Sequence, residues 1–250
     1  MRYSFNSRIR YSEVGADYNL TMLSLLDYFQ DASIFNSEAV GRDFRVLDRE
    51  NRAWFLSSWQ IVVDRYPSFG ETVTISTWPY DFRNVFGDRN FLMTDENGNR
   101  LAWANSIWVY TDTSNGRAVR VPQSEHEAYQ FSERLDMEYA PRKIRTEGEG
   151  RKEASVLVMK HHLDTNNHVN NGQYVLIAAE CLPDGLQIAQ MRAEYKHPAV
   201  LDDMGKSMVL RRAASRCRSQ LSVYGAHLNR PGFIGRLKSM LSEFYQYGVG

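Results

Sequence analysis

Cysteine is nearly absent from this chain: Cys181 and Cys217 are the only two in 250 residues. Two are too few for a disulfide framework, and neither sits in a Cys-x-x-Cys or Cys/His spacing, so neither structural zinc nor any other metal or cofactor is expected. Long apolar runs are missing as well. No stretch of about 18 apolar residues could cross a membrane as a helix, and the opening "MRYSFNSRIRYSEVGADYNL" has no apolar core of signal-peptide length. The expectation is a cytoplasmic protein. An excess of one charge is lacking too: 30 Lys and Arg balance 30 Asp and Glu, which argues against a general nucleic-acid binder. What is present, 43% hydrophobic residues, is enough to bury the core of one large domain or two small ones.

The first half reads as one helix followed by strands. Met22, Leu25, Leu26 and Phe29 fall at helical spacing, with Ala32 and Ser33 on the same face, and Gly41 closes a helix that reaches about Ala39. "WFLSSWQIVVDRYPSFGETVTISTWPYDF" carries β-branched and aromatic runs broken by Pro-Ser-Phe-Gly, and the Asn97-Gly98 pair in "RNFLMTDENGNRLAWANSIWVYTDT" predicts a hairpin. Residues 123–152 are polar and charged and read as a linker between units 1–122 and 153–250. Beyond it the pattern restarts. "EASVLVMKHHL" reads as a strand, an asparagine-rich loop follows, and Tyr174, Ile177, Ala178, Cys181 and Leu182 share a helical face that Pro183 and Gly185 end. "QIAQMRAEYKHPAV", "KSMVLRRAASRC" and "QLSVYGAHL" offer further strands, while "RLKSMLSEFYQYG" fits a strand or a helix equally. Aligning Met22, Leu25 and Leu26 with Tyr174, Ile177 and Ala178 gives two copies of one α+β unit, and pairing them edge to edge would complete a single sheet with a helix across each half.

The loop "HLDTNNHVNNGQYV" is the candidate for chemistry. Asp164, Asn166 and His168 stand at every second position just before the second helix. Such residues compete with the backbone for hydrogen bonds, so they favour turns and caps, and a purely structural capping loop with Asn170 or Asn171 as the cap is the plain alternative. A histidine near pH 7 can act as a general base, an amide can donate to a carbonyl or a water, and a carboxylate can orient either. His126, His161, His162, His197 and His227 carry no comparable context.

"LDTNNHVNNGQYV" with the following "AAE" resembles the D-x-N-x-H-V-N-N-x-x-Y segment of the acyl-acyl-carrier-protein thioesterases, a double hotdog family. "VGADYNLTMLSLLDYFQDAS", "PSFGETVTISTW", "DRNFLMTDENGNRLAWANSIWVYTDT" and Arg120-Val121-Pro122 resemble that family's first half in the same order. The C-terminal motif alone is shared with other hotdog thioesterases, whereas the ordered first-half blocks specify the family. The resemblance implies a tandem hotdog, each half an antiparallel sheet wrapped around a central helix. It also implies hydrolysis of fatty acyl-carrier-protein to free fatty acid and holo carrier in fatty acid biosynthesis, with Asp164, Asn166 and His168 as catalytic residues.

By the same resemblance the first unit holds the acyl chain, so that Met22, Leu25, Leu26, Phe29, Trp54, Phe55 and Trp59 are substrate-binding candidates. Acyl carrier protein is acidic, and the basic run of Arg192, Lys196, Lys206, Arg211, Arg212, Arg216 and Arg218 offers it a surface. A solvated strand face is the alternative there, and a homodimer is an allowed assembly. The pattern departs from the plant members at one point: their glutamate and cysteine, a few residues past a Glu-Tyr pair, are replaced after Glu194-Tyr195 by Pro198-Ala199. A cysteine nucleophile is therefore excluded at that position, and Glu180, Asp202 and Asp203 are the remaining carboxylates nearby. An acyl-CoA thioesterase and a non-catalytic acyl-binding hotdog protein are the competing readings.

Overall fold

A computed structural model of the chain describes residues 2–144, 155–164, 167–179, 186–195, 199–201, 206–215 and 218–226. The chain divides into two compact units, Met1–Arg142 and Lys143–Gly250.

In the first unit β1 (Tyr3–Arg8) precedes a long helix, α1 (Met22–Ala39), and a one-and-a-half-turn helix, α2 (Phe44–Arg49). Strands β2 (Arg52–Val63), β3 (Thr72–Arg83), β4 (Phe86–Asp95) and β5 (Arg100–Asp112) follow, then β6 (Arg117–Ala118) and α3 (Gln123–Ala128). The sheet runs β1-β3-β4-β5-β2, antiparallel throughout, with β6 on the end of β5. Both ends of α1 are written in its sequence. The Thr21 hydroxyl oxygen accepts from the Ser24 amide at 3.1 Å, closing the N-terminus. At the other end Gly41 takes φ +70°, and the Gly41 and Arg42 amides donate to the carbonyls of Glu38 and Ser37. The face Met22, Leu25, Leu26, Phe29, Ala32, Ser33 and Asn36 is buried on the sheet, where Phe29 meets the rings of Trp59 and Phe91 at 6.4 and 5.3 Å. The β4–β5 hairpin forms at Asn97-Gly98, with Gly98 at φ +80° and the Asp95 carboxylate accepting from the Asn97 and Asn99 amides.

Residues 123–142, whose polarity suggests a linker, fold onto this unit. Glu125 is fully buried and accepts from Arg42 Nε at 2.6 Å and from Trp54 Nε1 at 3.3 Å. The segment beyond it crosses a polar row of the sheet, Gln60, Asn105, Asn90 and Trp78, which face one another across β2, β5, β4 and β3. Trp78 donates to the Glu133 carbonyl, the Leu135 amide to Asn90, and Gln60 exchanges bonds with the Glu138 carbonyl and the Ala140 amide. Polar composition here marks hydrogen-bond partners of a buried polar row, not solvation.

The second unit contains β7 (Ser155–Val156), α4 (Asn171–Ala179), β8 (Ile188–Glu194), β9 (Lys206–Ser215) and β10 (Arg218–Ala226). Its order is β7-β9-β10-β8, with the β8–β10 pair parallel and the others antiparallel. The first unit places β5 between the strands equivalent to β10 and β8 and antiparallel to both, whereas in the second unit those two strands pair directly and in parallel. Among the described residues of "EASVLVMKHHL" the strand is Ser155–Val156. A 3-10 turn at Lys160–His162 ends the extended run, because the His162 Nδ1 accepts from the Met159 amide at 3.0 Å and bends the chain. On α4 the residues Gly172, Tyr174, Val175 and Ala178 are buried. Cys181, Leu182, Pro183, Gly185 and the C-terminal "RLKSMLSEFYQYG" lie outside the described residues.

Candidate active site

The loop 163–170 is closed on itself. Leu163 and Val169 pair in an antiparallel bridge, the Asp164 amide donates to the His168 carbonyl at 2.7 Å, and the Asn167 amide donates to the Asp164 carbonyl at 3.1 Å. Asn167 takes φ +57°, a left-handed conformation that asparagine tolerates better than most side chains. The Asp164 carboxylate accepts from the His168 backbone amide at 3.2 Å, a bond that braces the turn. Both side chains are half-buried, open enough to meet a substrate and dry enough for charge to matter. Asn166, the third expected member, lies outside the described residues.

Asn170 is the helix cap: its Oδ1 accepts from the Gly172 amide at 2.8 Å, and its carbonyl accepts from the Gln173 amide at 3.0 Å. Those two amides are therefore occupied, so the first turn of α4 offers its aligned dipole to a developing oxyanion and not these two N–H groups. A stitched strand end supports the loop. The Val169 amide donates to the Ala199 carbonyl at 2.8 Å, the Ala199 amide donates to the Tyr174 hydroxyl oxygen at 2.9 Å, and the Tyr195 hydroxyl donates to the Asn171 carbonyl at 3.1 Å. The two phenol rings stand 5.9 Å apart, and burial pushes the Tyr195 phenol well above its ordinary pKa, with Tyr174 adding to the effect. Sequence patterning assigns Tyr174 to an apolar face; its hydroxyl's partner 25 residues away is not legible from spacing.

Glu194, the buried carboxylate next to Tyr195, accepts from the Ile144 amide at 3.0 Å. Glu180, Pro198, Asp202 and Asp203 lie outside the described residues. Among the described residues no group of three or more His, Cys, Asp or Glu could hold a metal ion, and no helix is long and apolar enough to cross a membrane.

The substrate-binding candidates separate into two groups. Met22, Leu25, Leu26, Phe29 and Trp59 are all buried between α1 and the sheet of the first unit. Trp54 sits instead in a separate cluster with Phe82, Tyr110, Leu47 and Val121. Phe55 is half-buried on β2. The periodicity of α1 gives no hint of the polar groups buried beside its apolar residues: Arg89 on β4 donates to Asn36 Oδ1 at 2.7 Å and to Thr77 Oγ1 at 3.3 Å, its pKa lowered to about 10 by burial. Of the basic candidates, Arg192 on β8 and Arg211 on β9 both stand opposite Ser222 of β10, which puts their backbones in one cross-strand row, and Arg212 stands opposite Leu221. Lys196 and Arg216 lie outside the described residues.

The family model "Acyl-ACP thioesterase N-terminal domain" matches residues 1–129. The chain belongs to the acyl-ACP thioesterase family. A second model, "ADDB, N-terminal", matches residues 188–250, a quarter of the chain, and by itself assigns no family. Among relatives of this thioesterase family, the palmitoyl-acyl carrier protein thioesterase, chloroplastic, of Arabidopsis thaliana is 24% identical over 220 residues, covering 81% of this chain and 53% of the relative. The chain thus spans about half the length of the curated relatives it matches. Solved acyl-ACP thioesterases share its fold. That of Bacteroides thetaiotaomicron superposes with a TM-score of 0.79 at 20% identity, covering 90% of this chain and 93% of the other. The 12:0-ACP thioesterase of Umbellularia californica gives 0.73 at 21% identity, with the same coverage of each chain. The α+β hotdog architecture expected from the sequence is the one observed.

Proposed function

We propose that the chain hydrolyses the thioester of fatty acyl groups carried on acyl carrier protein, releasing free fatty acid and the carrier's free thiol. The observation that carries this reading is the bonded pair of Asp164 and His168 at the foot of a capped helix, in a chain whose family and whose matched relatives are named for that reaction. His168 takes a proton from a water whose oxygen attacks the thioester carbonyl. The tetrahedral oxyanion is stabilised by the Asn166 amide and the positive end of α4; its collapse breaks the C–S bond, and His168 returns the proton to the leaving thiolate. Asp164 holds the loop so that the imidazole of His168 is presented in one orientation. No metal is required for this chemistry.

In this reading the apolar face of α1, with Met22, Leu25, Leu26, Phe29 and Trp59, takes the acyl chain. Arg192, Lys196, Arg211 and Arg212 meet the acidic carrier. The test is a thiol-release assay on acyl-carrier-protein substrates of graded chain length, with the same acyl groups on CoA as a second arm. Asn166→Ala and His168→Ala are each expected to cut turnover about a hundredfold or more with the fold intact. Charge reversal at Arg211 and Arg212 should impair only the carrier-bound substrate. Full turnover in both loop variants would remove the site, and equal loss on CoA would remove the carrier surface.

A further inference from the structure

The molecule contains its own control for the candidate loop. Among the described residues, residues 10–22 of the first unit and 159–171 of the second share one set of backbone hydrogen bonds. The Glu13 carboxylate accepts from the Arg10 amide as the His162 ring does from Met159, and Val14 bridges Leu20 as Leu163 bridges Val169. The amides of Gly15, Tyr18 and Thr21 donate to the carbonyls of Asn19, Gly15 and Glu13, just as those of Asp164, Asn167 and Asn170 donate to His168, Asp164 and His162. Tyr18 takes φ +59° where Asn167 takes +57°. Finally, the Leu20 amide donates to the Pro67 carbonyl at 2.8 Å as the Val169 amide donates to Ala199 at 2.8 Å.

This register makes Leu25, the fourth residue of α1, the counterpart of Tyr174, the fourth residue of α4. The first unit builds the whole loop with an apolar side chain at that position. The fold of the loop therefore does not need the phenol. Yet in the second unit the Tyr174 oxygen takes the Ala199 amide, and the Ala199 carbonyl takes the amide of Val169, the residue following His168. Resting on the thioesterase reading above, we infer that Tyr174 is a positioning residue: through Ala199 its hydroxyl fixes the backbone that presents His168 to the substrate. It touches no reacting atom itself.

Two variants test this, Tyr174→Phe, which keeps the ring and removes the oxygen, and Tyr174→Leu, which installs the first unit's residue. The turnover per folded molecule should fall about tenfold or more in both, with KM unchanged, since small misplacements of a reacting group are costly. Amide hydrogen exchange supplies the arm that needs no activity: Val169 and Ala199 should lose protection in both variants while Leu20 keeps it. Unchanged protection of Val169 in Tyr174→Leu would overturn the inference whether or not the wild-type chain releases thiol. Unchanged kcat in Tyr174→Phe, with an active wild type, would also overturn it. A wild type that releases no thiol, with Val169 deprotected in the variants, would leave the brace standing and sink the functional reading instead.

Discussion

Two loops of one design, residues 14–21 and 163–170, differ where chemistry would be done. At the positions of Asp164 and His168 the first loop has Gly15 and Asn19. The first loop still puts a carboxylate on the equivalent amide, because Asp17 Oδ1 accepts from the Asn19 amide at 3.1 Å as Asp164 Oδ1 accepts from His168 at 3.2 Å. What it lacks is an imidazole. Exposed Tyr18 stands where the second loop carries exposed Asn167. The same backbone solution thus serves as a helix entry in one unit and as a frame for a carboxylate and an imidazole in the other. In the asparagine-rich segment Asn170 caps the helix and the Asp164 carboxylate braces the turn through the His168 amide, so the histidine is what sets this loop apart.

The comparison breaks most readily at the histidine. His168→Asn, which gives the second loop the first loop's residue, should lower thiol release about a hundredfold or more. Asn19→Ala should leave turnover within about twofold, since no reacting group is removed. A large loss in Asn19→Ala would mean that both loops work. Next in size is a change confined to the first unit. Glu125→Ala leaves Arg42 without its buried partner and should cost about 3 kcal/mol in denaturant unfolding, while turnover per folded molecule stays put.

The two caps sharpen the contrast further. Thr21→Ala and Asn170→Ala should each cost about 1 kcal/mol of stability. Only Asn170→Ala should also slow turnover, because its helix entry is the one beside His168. The smallest effect is one of pH. Burial, and then the neighbouring His161, hold the His162 pKa below its usual value, and its Nδ1 must stay unprotonated to accept from Met159. The native state therefore binds this proton less readily than the unfolded chain. The contribution is intact above the unfolded value near ~6.5 and is lost as pH falls from there through the folded value. At the equivalent place Glu13 accepts from the Arg10 amide with a carboxylate oxygen instead of an imidazole nitrogen. Amide exchange at Met159 should accordingly speed up as pH falls below about 6.5.

Much of this architecture was legible because it is locally encoded. The stop of α1 at Gly41, the Asn97-Gly98 hairpin and the recurrence of helix-then-strands all follow from residue chemistry within a few positions. The register of the repeat was not. Sequence periodicity pairs Met22, Leu25 and Leu26 with Tyr174, Ile177 and Ala178, whereas the hydrogen bonds pair Leu25 with Tyr174, one turn away. A helical stripe repeats every three to four residues, so it fixes the face and leaves the turn open. Helix α2 was silent because six residues are too few to show a period, and the segment 123–142 was silent because its partners are polar side chains far off in sequence. Within the site, the motif singled out Asp164 and His168, and a bond from the His168 backbone amide to the Asp164 carboxylate links them. The Tyr174–Ala199–Val169 chain could not be read, since each link joins residues 25 or more apart or passes through backbone alone.

The most direct test gives wild-type protein and the double variant Asp164→Gly, His168→Asn one acyl-carrier-protein substrate and follows free thiol in a single turnover. Wild type should release one thiol per carrier and the variant, folded and equally able to bind, should release almost none. Equal release by the two proteins would show that the second loop is no more chemical than the first.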